Sequence, residues 1–299
     1  EIYTLSLHDA LPISIVSEVT MTGNTFIMPK ADVKVVVLLK DKYTNDKWHP
    51  EDFIFFRYEE GDPFSGDPDE YINEMTVKGF SDKGLEKLKT KKDVVLPVTD
   101  TNGVKVECVY ENSFINKGIK KLTVPANYKK IYDNAFKDNE ISELVLNEGL
   151  IYIFENTFAN NKLTEFIAPD TFKYPSKGAF KGNKLKKVVM KGDLVGIGPE
   201  SFMNNEINSL ELGPKLDRIY DKAFVNNKLT EVNIPLSLKK GGVGSLPPIY
   251  KTAFNDNPGT TNPAKKDEKK VLLWTPQKNN PNGLPDGENY VVDPKEEPA

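Results

Sequence analysis

The chain has 299 residues, 38% of them hydrophobic and 28% charged, which is ample for one or two domains with a real core. Its 40 basic and 44 acidic residues leave a net charge of −4, too balanced to advertise a nucleic-acid or membrane surface. There is no apolar run of about 18 residues to span a bilayer. The single cysteine, Cys108, excludes a disulfide framework or a thiolate metal cluster within the chain.

Residues 1–14, EIYTLSLHDALPIS, begin without Met, lack a cationic start and fit no signal-peptide plan. The run LHDALPIS resembles the conceptual translation of a sequencing adaptor, so this stretch is set aside as non-native and the chain is expected to be a fragment. Residues 15–40 alternate apolar and polar side chains on both sides of Met28-Pro29-Lys30, as two antiparallel strands would; they read as the tail of a truncated β-module. Residues 41–75 form an approach to a cap, with a short strand DFIFFRY and then a loop rich in Gly, Pro and Asp. Glu59, Glu60, Asp62 and Asp67 cluster there, but they lack the D-x-[DN]-x-[DN]-G spacing of a calcium loop and read as a solvated acidic turn.

From Met75 the style changes. MTVKGF reads as a strand, SDKGLEKLK as a helix capped by Ser81 with an apolar stripe of Leu85 and Leu88, and DVVLP and VKVECVY as further strands. A solenoid must protect its open end, so 76–113 is expected to be an N-terminal cap plus a divergent first coil, with the loop TDTNG inserted.

Residues 114–257 then repeat. Phe114, Phe136, Phe158, Phe180, Phe202 and Phe224 stand 22 residues apart, and Phe254 follows after 30, the eight extra residues falling within the Gly- and Pro-rich KKGGVGSLPP. Five residues on come Ile119, Ile141, Leu163, Leu185, Ile207 and Leu229; eight on, Leu122, Leu144, Phe166, Val188, Leu210 and Val232; ten on, Val124, Leu146, Ala168, Met190, Leu212 and Ile234. Asn139, Asn161, Asn183, Asn205, Asn227 and Asn257 occupy the third position after Phe, where only the first copy differs, with Lys117. Such self-similarity marks a solenoid, whose coils bury too little alone and must stack.

Within a unit, the apolar pair at positions eight and ten fits a short half-buried strand. The segment around each Phe fits one tight helical or 3-10 turn. The fold class is therefore a mainly β repeat solenoid with capping elements. The Asn column reads as structural, its amide satisfying backbone groups where the coil bends. Residues 258–280 are expected to be a C-terminal cap carrying the strand VLLWTP, and 281–299 a linker tail rich in Pro, Glu and Lys.

Chemistry is sparse. His8 lies in the segment set aside and His49 stands beside a Pro, so no catalytic triad or His-rich metal spacing is present. No phosphate loop occurs, and acidic pairs such as Asp138 and Glu140 fall on variable repeat positions. No catalysis, cofactor or metal is expected.

Recognition remains, and strand alternation says where. Positions seven and nine after each Phe face solvent and build two ladders. One holds Lys121, Glu143, Glu165, Lys187, Ser209 and Glu231; the other holds Thr123, Val145, Ile167, Val189, Glu211 and Asn233. Val145, Ile167 and Val189 would make an apolar strip flanked by charge, a pattern that suits a partner. The same β-branched residues favour strands with no ligand at all.

The registered columns, seen in AFKDNEISELVLNEGLIYI and AFVNNKLTEVNIPLSLKK, resemble the BspA-type leucine-rich repeats of bacterial surface proteins over roughly residues 80–276. The resemblance implies a curved right-handed leucine-rich-repeat solenoid, an extracellular and cell-wall-attached location, and an adhesive or binding role toward a protein or surface-glycan ligand. A spacer between modules stays open as the alternative.

Overall fold

A computed structural model describes residues 21–22, 25–26, 47–57, 74–235, 237–238, 249–262, 265–270 and 272–274 of the chain. Two compact units divide it, Glu1–Lys47 and Trp48–Ala299. In the first, β1 (Met21–Thr22) and β2 (Thr25–Phe26) pair antiparallel. The turn expected at Met28-Pro29-Lys30, the acidic cluster of Glu59 to Asp67, and the segments 1–14 and 281–299 lie outside the described residues.

The second unit opens with a cap. A single 3-10 turn, Pro50–Asp52, leads into β3 (Phe53–Arg57), which pairs antiparallel with β4 (Met75–Phe80). Helix α1 (Asp82–Leu88) follows, its Ser81 hydroxyl accepting from Gly84 N at 3.2 Å as an N-cap. The expected Leu85–Leu88 stripe is not what packs: Leu88 is buried but Leu85 is 40% exposed. The helix lays its Gly84–Leu88 edge down instead, and Gly84 sits so close that a Cβ there would meet Asp52 O at 1.9 Å. Only glycine permits that approach.

Thereafter front and lateral strands alternate along the chain. They run β5 (Asp93–Val95), β6 (Cys108–Val109), β7 (Lys121–Val124), β8 (Lys130–Ile131), β9 (Glu143–Leu146), β10 (Tyr152–Ile153), β11 (Glu165–Ile167), β12 (Tyr174–Pro175), β13 (Lys187–Met190), β14 (Gly196–Ile197), β15 (Ser209–Leu212), β16 (Arg218–Ile219) and β17 (Glu231–Asn233). An antiparallel pair, β18 (Thr260–Asn262) with β19 (Lys265–Lys270), precedes β20 (Leu272–Trp274), which lies parallel to β17. The lateral sheet runs β12-β10-β8-β6-β4-β3, with β14-β16 beyond it. Its break after β12 follows from Pro175, which has no N–H for the ladder; Gly198 N still reaches Pro175 O at 2.9 Å.

Between the sheets the seven phenylalanines form one file. Each ring stacks on the next at 5.1 to 5.5 Å and within 16° of parallel, from Phe114 to Phe254. The inserted residues between Phe224 and Phe254 leave that file intact, at 5.3 Å and 4°. Beside it the asparagine amides make a second file. Asn183 Oδ1 accepts from Leu163 N at 3.1 Å, and its Nδ2 donates to Phe158 O at 2.8 Å and Phe180 O at 3.0 Å. Asn139, Asn161, Asn205, Asn227 and Asn257 do the same one coil lower or higher.

The segment around each Phe departs from the helical or 3-10 turn expected. It is two short turns, closed for example by Ala135 N to Tyr132 O and Lys137 N to Asn134 O, with left-handed residues two before and two after each Phe from Phe114 to Phe224, and two after Phe254. Asn134 (φ 53°) and Asp138 (φ 58°) are one such pair, Asn156 and Asn160 the next, Gly178 and Gly182 the next. The cause is the neighbouring coil. Asn134, Phe136 and Asp138 donate their N–H groups upward to Glu155, Thr157 and Ala159, and a continuous helical turn would use those donors internally.

Candidate binding face

The front sheet carries the solvent-facing ladders, and registration places them coil over coil. Val95 stands opposite Thr123, and Thr123 opposite Val145; Ile167 stands opposite Val189, and Val189 opposite Glu211. Ile167 is 55% exposed and Val95 45%, whereas Val145 and Val189 are half-buried. On the parallel column Glu143, Glu165, Lys187 and Glu231 are exposed.

Val95 was missed by the repeat reading although it extends the β-branched column into the cap. The signal was present in DVVLP, whose strand-plus-Pro ending matches KLTVP, but the inserted TDTNG loop removes it from the 22-residue step. That loop folds on itself, Asp100 Oδ1 accepting from Asn102 N and Val104 N at 2.8 Å.

The front sheet is also divided. Ladder bonds join β5-β7-β9, β11-β13-β15 and β17-β20, but neither β9 and β11 nor β15 and β17 are paired. Val145 and Ile167 therefore lie on strands that share no ladder, and the column is not one hydrogen-bonded strip. The inward residues of β9 and β15 register it: Leu144, Leu146, Leu210 and Leu212 are half-buried, while Leu122 and Val124 of β7 and Val188 and Met190 of β13 are buried. Phe166, the one aromatic at its position, turns its ring into the core, 4.2 Å from that of Phe180.

Ion pairs dress the face. Lys121 meets Glu143 across the β7–β9 ladder, and their hydrogen bond raises the lysine pKa. Lys191 meets Glu211 and holds that carboxyl below its usual range by hydrogen bonding and charge. His49 lies in the cap, its backbone N donating to Asp52 Oδ2 at 2.9 Å. Among the described residues, no group of three or more His, Cys, Asp or Glu is placed to hold a metal ion. Nor is any described helix long and apolar enough to cross a membrane.

Stacked coils of strand, turn and lateral strand, with an asparagine file beside the core, define the leucine-rich-repeat solenoids. Residues 129–256 match the BspA type leucine rich repeat region in six copies, and the repeat region of this chain belongs to that family. Among solved structures, the chain is similar to a leucine rich cell surface protein from Faecalibacterium prausnitzii, at 14% identity and a TM-score of 0.53, over 78% of this chain and 59% of that one. It is also similar to a leucine-rich repeat protein from Bacteroides capillosus, at 27% identity and a TM-score of 0.36, over 48% of this chain and 96% of that one. No curated protein matches.

Proposed function

We propose that this chain is a non-catalytic binding module of a bacterial cell-surface protein, displayed outside the cell on the wall, which recognises a protein or surface glycan through its front sheet. The observation that carries the reading is the side-by-side placement of Ile167 and Val189 on paired strands, with Glu165 and Lys187 beside them on the same face. An apolar centre rimmed by charge is what a specific protein-binding patch requires. The description of the Faecalibacterium relative as a cell surface protein supports the location. A non-catalytic role is supported by the placing of acidic residues in inter-coil ion pairs such as Lys162–Glu140 and Lys177–Glu155.

Glu143, Val145, Glu165, Ile167, Lys187, Val189, Glu211 and Glu231 form the proposed contact surface. The experiment is a screen of the chain against immobilised proteins and glycans, repeated with Ile167→Lys. Binding lost in the variant at unchanged melting temperature supports the reading; binding retained in full removes the face from consideration.

A second reading, a rigid spacer between modules, draws on the unbroken phenylalanine and asparagine files, which stiffen the coils along their stacking direction. A spacer requires no binding in the same screen.

A further inference from the structure

Positive charge gathers on one coil of the front face. At the fourth, sixth and seventh positions after Phe180 stand Lys184, Lys186 and Lys187, all exposed. Among the described residues none of them makes an ion pair. Lysines at the same positions of other coils do: Lys162 meets Glu140 at 3.2 Å, Lys228 meets Glu206 at 3.1 Å, and Lys121 meets Glu143. Lys120, the remaining lysine at these positions, stands beside the Lys121–Glu143 pair.

The neighbouring coils explain why the three stay unneutralised. Lys184 has Lys162 and Glu206 at the same repeat position on either side, and that carboxylate is already bonded to Lys228. Lys186 has Thr164 and Asn208, which carry no charge. Lys187 stands opposite Glu165 and Ser209, and makes no ion pair with the first. Glu206 thus answers three lysines: the hydrogen bond from Lys228 does most to lower its pKa, and the charges of Lys186 and Lys184 add to it. The apolar part of the face adjoins this group. Two residues beyond Lys187 on the same strand, Val189 stands opposite Ile167, which is 55% exposed.

We propose that residues 184–189, with Ile167, recognise an acidic polypeptide segment, its carboxylates on Lys184, Lys186 and Lys187 and an apolar side chain on Ile167 and Val189. Charge complementarity carries the first half. Carboxylates are the natural counterpart of ammonium groups that no neighbour neutralises, and in a chain with a net charge of −4 such a local positive group sets the register of an acidic partner. The apolar half selects a polypeptide over an anionic glycan. A glycan could satisfy the lysines but has no apolar side chain to cover Ile167 and Val189, whereas a polypeptide supplies both. The proposal rests on the front sheet being the binding face and names the chemistry of its partner.

The probe is a synthetic peptide, EDEEFL, blocked at both ends and titrated into the full chain, with backbone amide shifts followed by NMR. The expected result is saturable shifts at residues 184–189 and 167. Affinity should fall about tenfold with Lys186→Ala and Lys187→Ala together, and about tenfold between low and high salt. Lys83→Ala with Lys89→Ala removes as many positive charges from the exposed side of α1 and should change affinity less than about twofold. A peptide with Gly-Gly in place of Phe-Leu, or the Ile167→Ser protein, should bind about tenfold more weakly. No saturable shifts, equal losses from the two lysine pairs, or equal binding of the Gly-Gly peptide overturns the proposal, the last because it would leave the lysines holding any anion. If the peptide fails while Ile167→Lys still abolishes binding in the screen, the front face stands and only its acidic partner falls.

Discussion

The ring of Phe180 lies on that of Phe202 with centroids 5.2 Å apart and planes 2° from parallel, and the same ring takes Phe166 at 4.2 Å from its own coil's neighbour. Phe180 is thus the point where the core file and the front sheet meet. Phe180→Ala removes contacts to coils above and below and opens a cavity that neither can fill, at a cost of about 3–5 kcal/mol. Phe254, partly buried at the end of the file with one stacking neighbour, should lose less on the same change. Denaturant unfolding of both variants checks the ranking; equal losses would mean that the file is not a shared core.

Asn183 should be as sensitive as a core residue despite its polarity. Replacement by Leu keeps the volume but leaves Leu163 N–H buried without a partner, while the carbonyls of Phe158 and Phe180 lose one of two donors and keep Asn161 and Asn205. One buried unsatisfied group costs about 1–3 kcal/mol, so the variant should lose an amount in that range. Lys184 next to it is exposed, and Lys184→Leu should change stability by less than about 0.5 kcal/mol. The pair measured together separates the role of the amide from any general sensitivity of the turn.

The repeat was legible because stacking forces identical surroundings on identical positions. Phe136, Phe158 and Phe180 could be aligned by subtraction, and the asparagine at the third position follows from the backbone groups a bend must satisfy. The left-handed residues were also written in the chain, as Asn116, Asp138, Asn160, Gly182, Asn204, Asn226 and Asp256, the types that tolerate positive φ. They were passed over because a short turn and a helical turn share local hydrogen bonds, and only the neighbouring coil decides between them. The division of the front sheet was not legible. Glu143 and Glu165 stand at the same repeat position, and nothing within a single repeat says that the strands carrying them will not pair.

The cap depends on a buried ion pair that sequence spacing does not reveal. Lys87 Nζ meets Asp52 Oδ2 with the Asp52 side chain fully buried and the lysine nearly so, beneath the Trp48 ring. Lys87→Met alone strands the carboxylate and should cost about 3–5 kcal/mol, whereas Asp52→Asn with Lys87→Met should recover most of that loss. A double-mutant cycle on unfolding free energies tests this, with additive single losses as the contrary result.

Two ranges of pH should lower stability, for opposite reasons. Hydrogen bonding and charge from Lys181, Lys215 and Lys228 hold Glu200, Asp193 and Glu206 below their usual values. A carboxyl depressed in the folded state adds stability above its unfolded pKa, about 3.9 to 4.3, and loses it as pH falls through the folded value. These pairs lie on the surface, so salt should erase most of that acid-side slope. On the alkaline side burial pushes the Cys108 thiol well up, and the charge of Glu74, whose Oε2 accepts from Sγ at 2.9 Å, adds to it. The unfolded thiol ionises near pH 8.5 while the folded one stays protonated, so stability should fall above about pH 8.5, by up to about 1.4 kcal/mol per pH unit. Tyr128, raised in the same way by burial, takes over above about pH 10. Cys108→Ala should flatten the stability profile between about pH 8.5 and 10 and leave the acid limb unchanged. Melting curves of both proteins across that range, at low and high salt, test the assignment; an alkaline slope that persists in the variant would place its source elsewhere.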